Sequence, residues 1–392
     1  MKKKEIKTGL IIAAVALCAV AAVAVAIITV SSHEMLYYGT QSADGSTVVA
    51  TSTAPIIPPP PPPVSHVPTP AAVKAVYMTS CVASTPSLRA KLVANLVGTE
   101  INSLVIDVKD YSGTLAYAST TLSGSSDPKG PGCRIYDLPE FLTTIHKAGL
   151  YAIARVTVFQ DPLYSSMHPD LAIQSRSHPG KPWHDDKGLA YIDPDSPAFW
   201  DYIAGIAMES HSIGFDEINF DYIRFPSDGD LPDARFALPA STTKAMAIKT
   251  FFSYLRSKLE PQGIVMSADL FGQTTVNTDD MGIGQVLENA LPYFDYVAPM
   301  VYPSHFIDGF EGYANPAAFP YQIVKNTMTS AVERAVAASS TLDKLRPWLQ
   351  AFDLGATYTP AMVHEEVQAV YDSGLTGWML WDAANRYSQA EL

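Results

Sequence analysis

From Val73 onward, short runs rich in β-branched and aromatic residues alternate with segments of helix length, and this alternation restricts the fold more than any other feature of the 392 residues. Eight strands are predicted: Val73–Val82, Ser103–Lys109, Tyr151–Phe159, Phe215–Phe225, Ile264–Phe271, Phe294–Tyr302, Pro347–Phe352 and Gly377–Trp381. Between them fall helix candidates at Ser87–Leu96, Leu138–Ala148, Pro197–His211, Thr243–Leu259, Asp279–Asn289, Tyr321–Ala337 and Pro360–Asp372. A strand that is followed by a helix and then another strand pairs parallel, with the helix as the crossover. Eight such units over about 320 residues predict an α/β chain folded as a (β/α)₈ TIM barrel with some long loops. Helix punctuation agrees: Ser196-Pro197 opens one helix, and Gly149 and Gly374 close two others.

The first 72 residues read differently. Lys2, Lys3, Lys4 and Lys7 precede an uncharged run, Thr8 to Val30, long enough to cross about 30 Å of hydrocarbon. A cleavable signal usually has an apolar region of only about 7–15 residues. The expectation is therefore an uncleaved transmembrane anchor over residues 1–31, with a cytoplasmic N-terminus and everything later extracytoplasmic. Residues 32–72 are a Ser/Thr/Ala/Pro-rich linker, and its unbroken Pro58–Pro63 run predicts a stiff polyproline spacer. Residues 73–392 form the barrel domain.

Charge narrows the partners. The formal net charge is −13, and residues 1–70 carry +1, which leaves −14 on the rest. An acidic body repels phosphate backbones, which argues against nucleic acid as a partner. Cys18 falls in the apolar run. Cys81 and Cys133 fall in the exported part, where a disulfide persists, but two free thiols satisfy the sequence equally.

Barrel sites lie at the C-terminal ends of the strands. Polar residues there are Asp107 and Lys109 on the second strand, Arg155 on the third, and Asp269 on the fifth. Tyr302 and His305 follow the sixth strand, Gln350 and Asp353 the seventh, and Trp381 and Asp382 the eighth. The fourth strand is the most informative. Alternation places Glu217, Asn219 and Asp221 on one face, against Ile218, Phe220 and Tyr222 on the other. A polar row pointing into a barrel is costly unless it is paired or functional. Glu217 has a structural alternative, a buried ion pair with Arg155. Asp221 and Asp269 end neighbouring strands and form the candidate catalytic pair, with Asp221 as nucleophile, Asp269 as acid/base and Glu217 in reserve. Arg224 or Lys109 is expected to keep one partner ionised. Trp183, Tyr302, Trp348 and Trp381 are candidate sugar-stacking surfaces. No His-Glu-x-x-His, nucleophile elbow or glycine-rich phosphate loop is present, so no metal or cofactor is predicted.

The stretch Gly214-Phe215-Asp216-Glu217-Ile218-Asn219-Phe220-Asp221-Tyr222-Ile223-Arg224-Phe225-Pro226 resembles the signature of a bacterial glycoside hydrolase family that was formerly a domain of unknown function. Supporting matches are Trp183 with Asp185, Tyr191-Ile192-Asp193-Pro194, Ser267 to Gly272, and Asp295 to His305. The resemblance runs from Val73 to Tyr387 and implies a TIM-barrel glycosidase. It is more distantly similar to the α-amylase type, whose acids at the ends of strands four, five and seven correspond to Asp221, Asp269 and Asp353. Two departures stand out: Asp269 replaces a Glu, and Asn219 replaces an Arg. The implied activity is hydrolysis of a cell-envelope or extracellular polysaccharide or oligosaccharide. A carbohydrate-binding protein on a degenerate barrel is the alternative, and an envelope scaffold is the third. Two converging carboxyls separate the enzyme from the others.

Overall fold

The computed structural model describes residues 64–119, 121–122 and 132–392. The apolar run Thr8–Val30, Cys18 and the Pro58–Pro63 run lie outside the described residues. Among the described residues no helix is long and apolar enough to cross a membrane.

Eight parallel strands close a barrel. They are β1 (Lys74–Met78), β2 (Ser103–Lys109), β3 (Tyr151–Thr157), β4 (Glu217–Asp221), β5 (Val265–Phe271), β6 (Tyr296–Met300), β7 (Trp348–Gln350) and β8 (Trp378–Trp381). Each pairs with its sequence neighbours, and β8 pairs with β1 to complete the ring. All eight predicted strands are present, each within its predicted bounds. Helices follow the strands: α1 (Pro86–Asn95), α2 (Leu138–Lys147), α3 (Pro197–Ile213), α4 (Lys244–Leu259), α5 (Leu287–Ala290), α6 (Pro320–Ala337) and α7 (Pro360–Asp372). Thr243 and Thr359 cap α4 and α7 by accepting from the amides of Met246 and Met362. Gly149 and Gly374, at φ 77° and 82°, end α2 and α7 in the left-handed region that suits glycine.

The predicted helix Asp279–Asn289 is a correction. Only its last turn, α5, is helical. Gly282 and Gly284 take φ of 69° and 85°, and Met281 itself takes 50°, so no right-handed helix can start before them. Three short elements had no sequence signal: a helical turn at Ser80–Ala83, where the predicted first strand has already ended, another at Pro162–Met167, and a two-stranded ribbon pairing Gln174–Ser175 with Ala234–Arg235.

Two apolar layers hold the barrel. The larger packs the outer strand faces, including Ile218 and Phe220, against the helices. The smaller fills the interior with Tyr77, Val105, Ile153, Ala298, Trp348 and Met379. Cys81, just after β1, is bonded to Cys133 with a Cα separation of 4.7 Å. The bridge ties the connection after β2 to the C-terminal rim.

Candidate active site

Into the C-terminal mouth opens a cavity of about 450 Å³. Parallel strands all end on this side, so their last inward residues converge there. β4 and β5 are in register through Phe220 and Ala268, which puts Asp221 and Asp269 at the next position of each strand. Both line the cavity, at 5% and 1% exposure.

Arg155, rising from β3, organises the acids. Its Nη1 donates to Asp107 Oδ1 at 2.7 Å and its Nη2 donates to Asp221 Oδ2. Its Nε stands 4.0 Å from Asp269 Oδ2 without a hydrogen bond. Asp107 also accepts from the Tyr77 hydroxyl. The Tyr77 ring stacks on Trp381 at 3.9 Å, and the Arg155 guanidinium sits 4.8 Å from the Trp381 ring centre. An aromatic wall and an ion network therefore hold one cation in place.

The two candidate acids have different surroundings. Asp221 Oδ1 accepts from the amide of Tyr222 at 2.6 Å, and Tyr222 turns at φ 53°, a costly conformation for a residue other than glycine. Asp269 Oδ1 accepts from Asn219 Nδ2 and Trp348 Nε1, both at 2.8 Å, while its Oδ2 is buried without a partner. Burial, and then the charge of Asp221, push the Asp269 carboxyl well above the usual carboxylate range, against the pull of Arg155, Asn219 and Trp348. Burial also pushes the Tyr302 hydroxyl up and the His305 imidazole down, so both are neutral at neutral pH.

Of the predicted site residues, the structure brings Arg155, Asp221, Arg224, Asp269, Tyr302, His305, Trp348 and Trp381 to the cavity wall. Asp107 and Asn219 sit directly behind it. The others are elsewhere. Glu217, four residues below Asp221 on β4, is fully buried and paired with Arg346, not with Arg155. Lys109 turns out of the barrel, because β2 shifts register between Asp107 and Lys109, and its Nζ meets Asp161 at 2.9 Å. The cation beside the acid pair is therefore Arg155 and not Lys109. Trp183 is buried and donates to the carbonyl of Asp230. Gln350 accepts from the amide of Ser304 at 3.1 Å, and exposed Asp353 accepts from the amide of Tyr358 at 2.7 Å, so neither lines the cavity. Asp382 caps the turn after β8 by accepting from the amides of Ala384 and Arg386.

Sequence reasoning missed Tyr77, Phe271, Met300 and Phe306. For Tyr77 the alternation of β1 carried a signal, since Ala75 and Tyr77 share the inward face. Nothing in the sequence marks Phe306, which follows a short turn after β6. Among the described residues no group of three or more His, Cys, Asp or Glu is placed to hold a metal ion.

Known structures share this architecture. The glycoside hydrolase domain of PgaB (BpsB) from Bordetella bronchiseptica is 16% identical, covers 81% of this chain and 95% of its own, and superposes with a TM-score of 0.57. Alpha-L-fucosidase isoenzyme 2 from Paenibacillus thiaminolyticus is 11% identical, with coverage of 82% and 48% and a TM-score of 0.54. At those identities the likeness is one of fold. A hypothetical protein from Ruminiclostridium thermocellum ATCC 27405 is 32% identical over 53% of this chain and 98% of its own, with a TM-score of 0.44. No curated protein matches. A family model does match, over residues 75–387, and it spans the whole barrel, both acids and the β4 signature. The chain belongs to that family, which is described as "Putative glycosyl hydrolase domain".

Proposed function

We propose that the cavity hydrolyses glycosidic bonds of a cell-envelope or extracellular polysaccharide, with Asp221 and Asp269 as the working pair. The observation that carries the reading is their unequal environment on adjacent strand ends. Asp221 accepts a hydrogen bond from a guanidinium, a contact that orients a carboxylate nucleophile. Asp269 is desolvated and has one oxygen free, which favours the protonated acid. Asp269 would protonate the leaving oxygen while Asp221 attacks the anomeric carbon. In the second half-reaction Asp269 would take a proton from water as the water oxygen bonds the anomeric carbon and the bond to Asp221 breaks, which restores both carboxyls. Trp348, Trp381 and Tyr302 would offer flat faces to sugar rings, and Arg155 and Asn219 would hold the two carboxyls in place. Glu217 has no part in this scheme.

The lysine-flanked apolar run supports placing this activity outside the cytoplasm, on a single-pass anchor. The test of activity is a reducing-sugar release screen over envelope and extracellular polysaccharides. On a substrate so found, Asp221→Asn and Asp269→Asn should each cut turnover at least about a hundredfold, the lower end of what a general acid contributes. Proton NMR of the first product should show retention of anomeric configuration, and inversion would remove the nucleophile role from Asp221. Glycan binding without cleavage, unchanged in both variants, would favour the binding-protein reading.

A further inference from the structure

Three arginines are buried among the described residues, and carboxylates match two of them. Arg155 is paired with Asp107 and Asp221, and Arg346 with Glu217. Arg224 has no such match. It is 6% exposed and lines the cavity, yet no carboxylate oxygen of the described residues lies within 4.0 Å of it. Its Nη1 donates to the carbonyl of Phe225 at 3.0 Å. Its guanidinium lies 4.7 Å from the Phe271 ring centre and 5.2 Å from that of Tyr222, so two rings flank the fork. Asp221, three residues before it on the wall, pairs with Arg155 instead, and Asp228, four residues after it, is exposed and forms no ion pair with it.

A guanidinium keeps its charge under all ordinary conditions, and a buried charge without a counter-ion is costly. Proteins retain such a group where a ligand supplies the missing anion. The planar fork suits a carboxylate, which it can bind through two parallel hydrogen bonds. The left-handed turn at Tyr222 folds the chain so that Arg224, three residues after Asp221, faces the same cavity. We propose that Arg224 is the recognition site for a carboxylate on the sugar, so that the substrate of this cavity is an acidic glycan built with uronic-acid-type residues. This rests on the cavity being the glycan site. Arg155 does not compete for the anion, because Asp107 and Asp221 already occupy its two terminal nitrogens.

The test is calorimetric titration of the full chain with glucuronate and galacturonate, against glucose and galactose as the neutral counterparts. Wild type should bind a uronate at least about tenfold more tightly than its neutral counterpart, the least that a charge-assisted contact supplies. Arg224→Gln should bring the two to parity. Arg224→Lys should retain part of the preference, because it keeps the charge without the fork. If Arg224→Gln melts at a lower temperature than wild type, Arg224→Lys carries the comparison and must still reduce the preference. No preference in wild type, including no binding of any of the four sugars, overturns the proposal. So does a preference that survives both substitutions. Uronate binding without cleavage of any acidic glycan would remove the hydrolysis reading and leave this one standing. Cleavage of neutral glycans without uronate preference would do the reverse.

Discussion

Asp269 lets two roles be separated by pH. Its folded-state carboxyl titrates well above an unfolded one, which loses its proton at about pH 3.9. The folded protein therefore holds a proton that the unfolded chain has released. The stability tied to that proton is complete below about pH 3.9 and is lost as pH rises through the folded value. Asp269→Asn removes the ionisation and keeps an oxygen for Asn219 and Trp348. Its melting temperature should equal or exceed that of wild type at pH 7–8, and the gap should close at acid pH; a variant that melts lower at both would mean the carboxyl is ionised and paired. Activity should fall along the alkaline limb as the same proton leaves. Glu217 is held by a partner of its own. Removing one member of its buried pair with Arg346 strands a charge, so Glu217→Ala should cost about 3–5 kcal/mol in urea unfolding. Glu217→Leu combined with Arg346→Met should recover much of that cost. If Glu217→Ala abolished turnover with no loss of stability, Glu217 would return to the reaction. The polar row on β4 was legible in the sequence, because alternation alone exposes it. Which of its members face the cavity and which pair below it was not, because their partners, Arg155 and Arg346, are remote in the chain. Glu217 and Arg346 are 129 positions apart.

At the scale of elements, periodicity and punctuation revealed every barrel strand and most helices, since each is a local property of about ten residues. The failure at Asp279–Asn289 has a local cause as well, two glycines whose left-handed backbone overrides an apolar pattern. The bulge that turns Lys109 outward is different, because it arises from pairing with β3 and has no signature within β2 itself. The Cys81–Cys133 bridge also needed the fold, because adjacency of β1 and β2 had to bring the two Cα atoms to 4.7 Å. It spans 52 residues, a separation for which loop-closure entropy predicts about 4 kcal/mol of stabilisation. Peptide mapping of nonreduced protein should recover the linked pair. Replacing both cysteines with Ser should lower unfolding free energy by about 2–4 kcal/mol and leave the acid pair's spacing, and hence kcat, unchanged. A larger loss of kcat than of stability would show that the bridge also shapes the mouth of the cavity.

For the whole molecule, the distribution of charge bears on which side of a membrane the barrel would face. Residues 1–70 carry +1, with four lysines ahead of Thr8, and the remainder carries −14. Lysines flanking an apolar run hold the near side in the cytoplasm, while acidic residues bear little on orientation. The barrel's acidity therefore does not oppose export. A disulfide in the barrel is of the kind that persists in an oxidising compartment, which is a second and independent argument for the same side. Protease added to intact spheroplasts should remove the barrel domain from the membrane fraction, with cleavage falling in residues 32–72. A cytoplasmic marker should survive in the same sample. Protection of the barrel until the cells are lysed would reverse the orientation, and with it the assignment of an envelope or extracellular glycan as the substrate. Recovery of the intact barrel in the medium without protease would show instead that the apolar run is cleaved as a signal, which preserves the compartment and removes the anchor.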